Sequence, residues 1–178
     1  DWASDTWAAL LRVACVPGPR LNAEWLHRRL MPMTLTDRDV TWSSWLIGGG
    51  RAGSENATSV LLDWAWHPLV GIVGTDPIPP EVARLATFAF GWMFSTPDRR
   101  VRDRATKALV AVGERGVDGF TSAVPQFASC NDPYVLERIA GSLCGVALHA
   151  HDPDVLRQVA DAAAALVADN LPEHILTR

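Results

Sequence analysis

Few residues of this chain stand at a spacing that chemistry requires. His149-Ala-His151-Asp152-Pro153-Asp154 places two imidazoles and two carboxylates within one short stretch, a donor set that zinc accepts. A His-x-His-x-Asp-His zinc motif needs Asp at 153 and His at 154, where this chain has Pro153 and Asp154. Helix ends explain the same residues: His149 closes one predicted helix and Asp152 caps the next, each on the side its charge prefers. No metal is expected. Gly48-Gly-Gly-Arg-Ala-Gly53 has the two glycines of a phosphate-binding loop, but Ser54 and Glu55 occupy the positions of the required Lys and Ser/Thr. A flexible linker is the expected role. Asn56-Ala-Thr58 is a glycosylation sequon only in form. No Ser/His/Asp or Cys/His constellation is recognisable, so the chain is expected to be non-enzymatic and free of cofactors.

What remains is contact chemistry. Arg99, Arg100, Arg102, Arg104 and Lys107 form a basic cluster whose charge is relieved only by Asp98 and Asp103. These five are the candidate partner-binding residues, suited to an acidic surface or a phosphate. The competing reading is a solvated face with ion pairs within the helix or between neighbours, Asp103–Lys107 among them. The tryptophan pairs Trp42/Trp45 and Trp64/Trp66 could line a peptide-binding groove, with core packing the simpler role.

The elements that must position these residues are helical. Asp98 to Val112 carries Val101, Ala105, Ala108, Leu109 and Val112 on one face of a 3.6-residue period. The same opening recurs at Asp132-Pro-Tyr-Val135 and Asp152-Pro-Asp-Val155, with Val135 following Val101 by 34 positions. Similar helices at that interval predict stacked helix pairs. Further helices are expected over 5–16, from an N-cap at Asn22 to Met31, after a Thr36-Asp-Arg-Asp39 capping box, and after Ser59. Others are expected from Pro80 to Phe94, over 117–128, and from Asp132 to Ala150. The short helix near Asn22 is read with His27, Arg28 and Arg29 outward. No strand alternation appears, so the fold class is all-α. The predicted domains are an N-terminal helical subdomain over 1–47, a Gly-rich linker over 48–58 and a helical repeat over 59–178.

Composition sets the limits. With 178 residues, 48% hydrophobic and 20% charged, the chain can fill a core. A net charge of −4 argues against nucleic acid as the partner. Cys15, Cys130 and Cys144 fit neither a disulfide framework nor a zinc site and read as buried thiols in a reducing, cytoplasmic setting. No apolar run of about 18 residues predicts a membrane span, and no signal peptide is visible. The start at Asp1 and the end at Leu171 to Arg178 read as a piece of a longer protein.

Two resemblances sharpen this. Asp98, Val101, Arg102, Ala105, Ala108 and Leu109 fill every slot of the second-helix pattern of HEAT repeats, Asp-x-x-Val-Arg-x-x-Ala-x-x-Ala-Leu; Leu136 and Leu156 replace the Arg in the other two openings. The chain therefore resembles a HEAT-like α-solenoid of antiparallel helix pairs. The strings Arg102-Asp-Arg-Ala-Thr-Lys-Ala-Leu109 and Asp132-Pro-Tyr-Val-Leu-Glu-Arg138, with the segments 21–30 and 33–45, resemble the helical region of bacterial antiviral STAND ATPases of the Avs group. That resemblance implies a sensor or relay arm contacting a phage protein or other parts of the parent chain; apart from it, neither nucleic acid, given the acidic balance, nor a small molecule is the expected ligand. A helical-repeat DNA glycosylase and a plain structural spacer are the alternatives.

Overall fold

The computed structural model describes residues 2–48, 57–66 and 76–168. Among them every regular element is helical. The elements are α1 (Trp2–Val13), α2 (Ala23–Leu30), α3 (Leu35–Arg38), α4 (Ser44–Gly48), α5 (Ala57–Ala65), α6 (Pro80–Met93), α7 (Arg99–Arg115), α8 (Val117–Ala123), α9 (Pro133–His149) and α10 (Pro153–Val167). The predicted linker, apart from Gly48 at the end of α4 and Ala57 and Thr58 in α5, falls on residues outside this description, as does the 171–178 segment.

Local sequence starts these helices where side chains can satisfy the first free N–H groups. Asn22 Oδ1 accepts from the N–H groups of Glu24 and Trp25 at 3.1 and 3.3 Å. Asp98 accepts from Arg100 at 2.8 Å, Asp132 from Tyr134 at 3.0 Å and Asp152 from Asp154 at 2.8 Å. Two expected starts move. The capping box is Thr34 with Asp37, not Thr36 with Asp39: Thr34 Oγ1 accepts from the Asp37 N–H at 3.1 Å and donates to its carboxylate at 2.8 Å. The helix holding Ser59 already begins at Ala57.

Between α3 and α4 the chain widens into one π-helical turn, Asp39–Ser43, in which the Ser44 N–H reaches the Asp39 carbonyl. Thr41 and Ser44 hydroxyls donate to the Asp37 and Asp39 carbonyls, each at 2.6 Å, competing with the ordinary helical ladder. The expected helix over 117–128 similarly splits at Pro125, with a tight 3-10 turn over Val124–Phe127 after α8.

The helices alternate between two rows. α1 packs on α5, α5 on α7 and α7 on α9; α2 packs on α6, α6 on α8 and α8 on α10. One apolar core runs between the rows, from Leu10 and Leu11 through Phe88, Phe90, Leu109, Phe120 and Ile139 to Leu166. The stripe predicted for α7 faces it, with Ala105, Ala108, Leu109 and Val112 buried and Val101 packed at its edge.

Small residues set the close approaches. At Gly119 an added methyl would lie 2.0 Å from the Pro80 carbonyl oxygen and 2.8 Å from the Arg84 nitrogen. Both obstacles are backbone, so α6 and α8 would have to separate. Gly119→Ala is expected to lower stability by about 1–3 kcal/mol or more. A urea unfolding midpoint equal to that of the wild type would contradict this packing.

His27 corrects the expected outward face of α2. Its ring is buried, stacked on Phe88 at 4.3 Å between centroids and edge-on to Phe127 at 4.7 Å. The Trp92 indole donates to its Nδ1 at 3.2 Å. A second proton would put two donors face to face there. Burial, with the Arg84 charge as a smaller contribution, pushes His27 down from 6.5 to about 4 despite a hydrogen bond to the Gln126 backbone. The unfolded chain therefore binds the extra proton first as pH falls. The stability this group contributes is complete above pH 6.5 and is lost as pH falls towards about 4. The loss is on the order of 3 kcal/mol by linkage. Urea midpoints at pH 7 and pH 4.5 should converge in His27→Gln relative to wild type; an equal acid loss in both proteins would remove His27 as the cause.

Candidate functional site

The structure divides the predicted basic cluster. α7 carries it on two flanks, and most of its charges are spent inside the molecule. Arg104 reaches back to α5, pairing with Asp63 at 2.6 Å and touching the Ser59 hydroxyl at 3.5 Å. Lys107 lies over the Trp66 ring at 4.5 Å, a cation–π contact rather than the expected pair with Asp103. Asp103 instead receives Arg99 at 3.3 Å and Arg138 of α9 at 3.0 Å. Burial raises the Asp103 carboxyl, but Arg138 and then Arg99 outweigh it and hold it below its usual range. Arg102 donates to the Thr96 carbonyl at 2.6 Å. Arg99 remains largely exposed, and the Arg100 side chain makes no hydrogen bond or ion pair among the described residues.

The tryptophans divide too. Trp42 is fully buried and clusters with Trp7, Trp25 and Trp45. Its indole donates to the Trp92 carbonyl at 2.8 Å, tying the π-helical turn to α6. Trp64 is exposed and lines a shallow apolar groove with Val16 and Val60 between α1 and α5.

Sequence periodicity missed Arg38, the most heavily bonded charge among the described residues. It is fully buried. Its guanidinium donates to the Leu30 and Met33 carbonyls at 3.3 and 3.0 Å and to Asn131 Oδ1 at 2.8 Å, and it lies 4.8 Å from the Trp92 ring centre. Its Nη1 faces the Asp132 carboxylate at 3.8 Å. Burial raises the Asp132 carboxyl, and the nearby Asp39 adds to the rise; the hydrogen bonds from Val135 and Tyr134 and the Arg38 charge act against it. Arg38 thus joins the C-terminal end of α2 to the N-terminal cap of α9.

Beside this joint opens a cleft of about 600 Å³. Its walls are the segment from Leu35 through the π-helical turn to Ile47, the α6–α7 connection Phe94–Pro97, Arg102, and the start of α9 at Asp132–Tyr134. The size and the mixture of apolar walls with a few polar groups suit a ligand site. Of the predicted cluster, Arg102 alone lines it.

Among the described residues no group of His, Cys, Asp and Glu is arranged to hold a metal, and no helix is long and apolar enough to cross a membrane. His149 pairs with Glu114 of α7, while Asp152 caps α10. Of the three thiols expected to be buried, Cys130 is buried, Cys15 half-buried and Cys144 exposed on α9; burial pushes Cys130 and Cys15 up to about 11 and 12. No family model, curated protein or solved structure matches the chain.

Proposed function

We propose that this chain is a non-enzymatic, HEAT-like interaction module whose work is contact with a protein partner. The observation that carries the reading is the alternation of helices between two rows, with the related openings of α7 and α9 set 34 residues apart. Such arrays expose long side-chain surfaces and make contacts mainly between neighbours, a build suited to binding. The α7–α9 seam supports it: Gly145 admits Val110, Gly113 admits Val146, and Arg138 returns to Asp103.

On this reading the parent is a cytoplasmic STAND ATPase of antiviral defence, and residues 59–178 form its sensor or relay arm behind the 1–47 subdomain. Arg99 and Arg100 are the members of the basic cluster left to meet an acidic partner, because Arg102, Arg104 and Lys107 hold the fold. The test uses the parent protein with Arg99→Glu and Arg100→Glu combined. Stimulation of ATP hydrolysis by extract of phage-infected cells is expected to fall about tenfold, a change of 1.4 kcal/mol in coupling. The unstimulated rate and the melting temperature should stay at wild-type values. Full stimulation would contradict the assignment, and tight duplex-DNA binding that collapses with salt would favour a nucleic-acid role instead.

A further inference from the structure

The cleft beside α9 holds an acid that the fold leaves unpaired, a guanidinium that it uses only in part, and apolar groups open to water. Leu35, Ile47 and Tyr134 stand on its rim with 44, 39 and 63% of their surface exposed, a cost in water unless something covers them. The Asp39 carboxylate has no hydrogen bond or ion pair among the described residues. Across the lining, Arg102 gives one guanidinium nitrogen to the Thr96 carbonyl and meets no carboxylate there. The Ser44 and Ser95 hydroxyl hydrogens are spent on the Asp39 and Trp92 carbonyls, which leaves their oxygens as acceptors, while Ser43 is buried and bonded to Ser95. The neighbouring acid, Asp132, is already paired with Arg38 and bonded to the start of α9.

An occupant complementary to this lining needs one cation for Asp39, one anion for Arg102, N–H donors for the serine oxygens and an apolar body for the rim. We infer that the cleft receives a short extended peptide segment of a protein partner, carrying a basic and an acidic side chain around an apolar one. This rests on the protein-contact reading above and gives that contact a second, sequence-selective site away from Arg99 and Arg100. A backbone supplies the N–H groups, and side chains two apart in an extended segment point the same way into a wall. The unpaired charges on the two sides favour a segment of mixed sign over one of a single sign.

The test is calorimetric titration of the intact chain with four capped tripeptides: Lys-Leu-Glu, Glu-Leu-Lys, Lys-Leu-Lys and Glu-Leu-Glu. One mixed-charge order is expected to bind about tenfold more tightly than both like-charge peptides. Asp39→Asn, at an exposed position, should weaken that peptide about tenfold with an unchanged helical spectrum. Arg102→Gln should do the same, with Arg102→Lys restoring part of the affinity and serving in its place if the Gln variant does not fold. Absence of binding by all four peptides at millimolar concentration, or affinity indifferent to Asp39→Asn, would overturn the site. A parent protein that keeps its partner contact through Arg99 and Arg100 while Asp39→Asn changes nothing would remove this cleft and leave the protein-contact reading standing.

Discussion

Leu109→Asp is expected to abolish the fold. Leu109 is fully buried on α7, the helix that packs against α5, α6, α8 and α9 together. Truncation to Ala alone costs about 2–5 kcal/mol at such a site. A carboxylate adds the cost of leaving water without a partner, several kcal/mol even when the group takes up a proton to escape ionisation. A domain has only about 5–15 kcal/mol in total. The far-ultraviolet helical signal of Leu109→Asp should therefore be largely lost at 25 °C, while Leu109→Ala stays folded with a lower melting temperature. A stable, fully helical Asp variant would mean that the inward face of α7 has been assigned the wrong way round.

Arg38→Ala comes next in size. The substitution removes the donors that satisfy the Leu30 and Met33 carbonyls and Asn131, and leaves the Asp132 carboxylate buried with one counter-charge fewer. Removing one partner of a buried pair costs about 3–5 kcal/mol. Arg38→Lys should recover little, because an ammonium cannot fork between carbonyls and lie flat against Trp92 at once. The tryptophan cluster around Trp42 adjoins the joint, so an Arg38→Ala protein should show a fluorescence change at a lower denaturant concentration than wild type. A midpoint shifted by less than the equivalent of about 1 kcal/mol would show that the guanidinium is spectator rather than fastening.

The helical content and most helix starts were legible because both are local. A carboxylate or amide two or three positions ahead of a free N–H, as at Asn22, Asp98, Asp132 and Asp152, works through its own neighbours. The apolar stripe of α7 was legible for the same reason: Ala105, Ala108, Leu109 and Val112 need only a 3.6-residue period to reach one side. Polar side chains are different. His27 and Arg38 sit among charged or polar neighbours in sequence, and their burial depends on Trp92, Gln126 and Asn131, which the chain brings back only after long excursions. Arg104 and Lys107 looked free because Asp63 lies on α5 and Trp66 just past its end.

The capping box slipped by two positions for a local reason. Thr34 and Thr36 are each followed three residues later by an acid, Asp37 and Asp39, and the pattern does not rank them. Thr34 stays extended and its hydroxyl takes the Asp37 N–H, so α3 starts there and Thr36 already lies inside the helix. The cleft had no signature in sequence at all. Leu35, Asp39, Arg102 and Tyr134 come from three segments, and only the packing of α9 beside the α6–α7 connection assembles them.

The most direct test of the central reading is the full reading frame that encodes this chain. A helical arm of a STAND ATPase predicts a Gly-x-x-x-x-Gly-Lys-Ser/Thr loop between a strand and a helix upstream of Asp1, as nucleotide binding requires. It also predicts helix pairs that repeat at an interval near that of α7 and α9. A frame with no nucleotide-binding segment would contradict the ATPase assignment, and one with no further helical pairs would contradict the repeat itself.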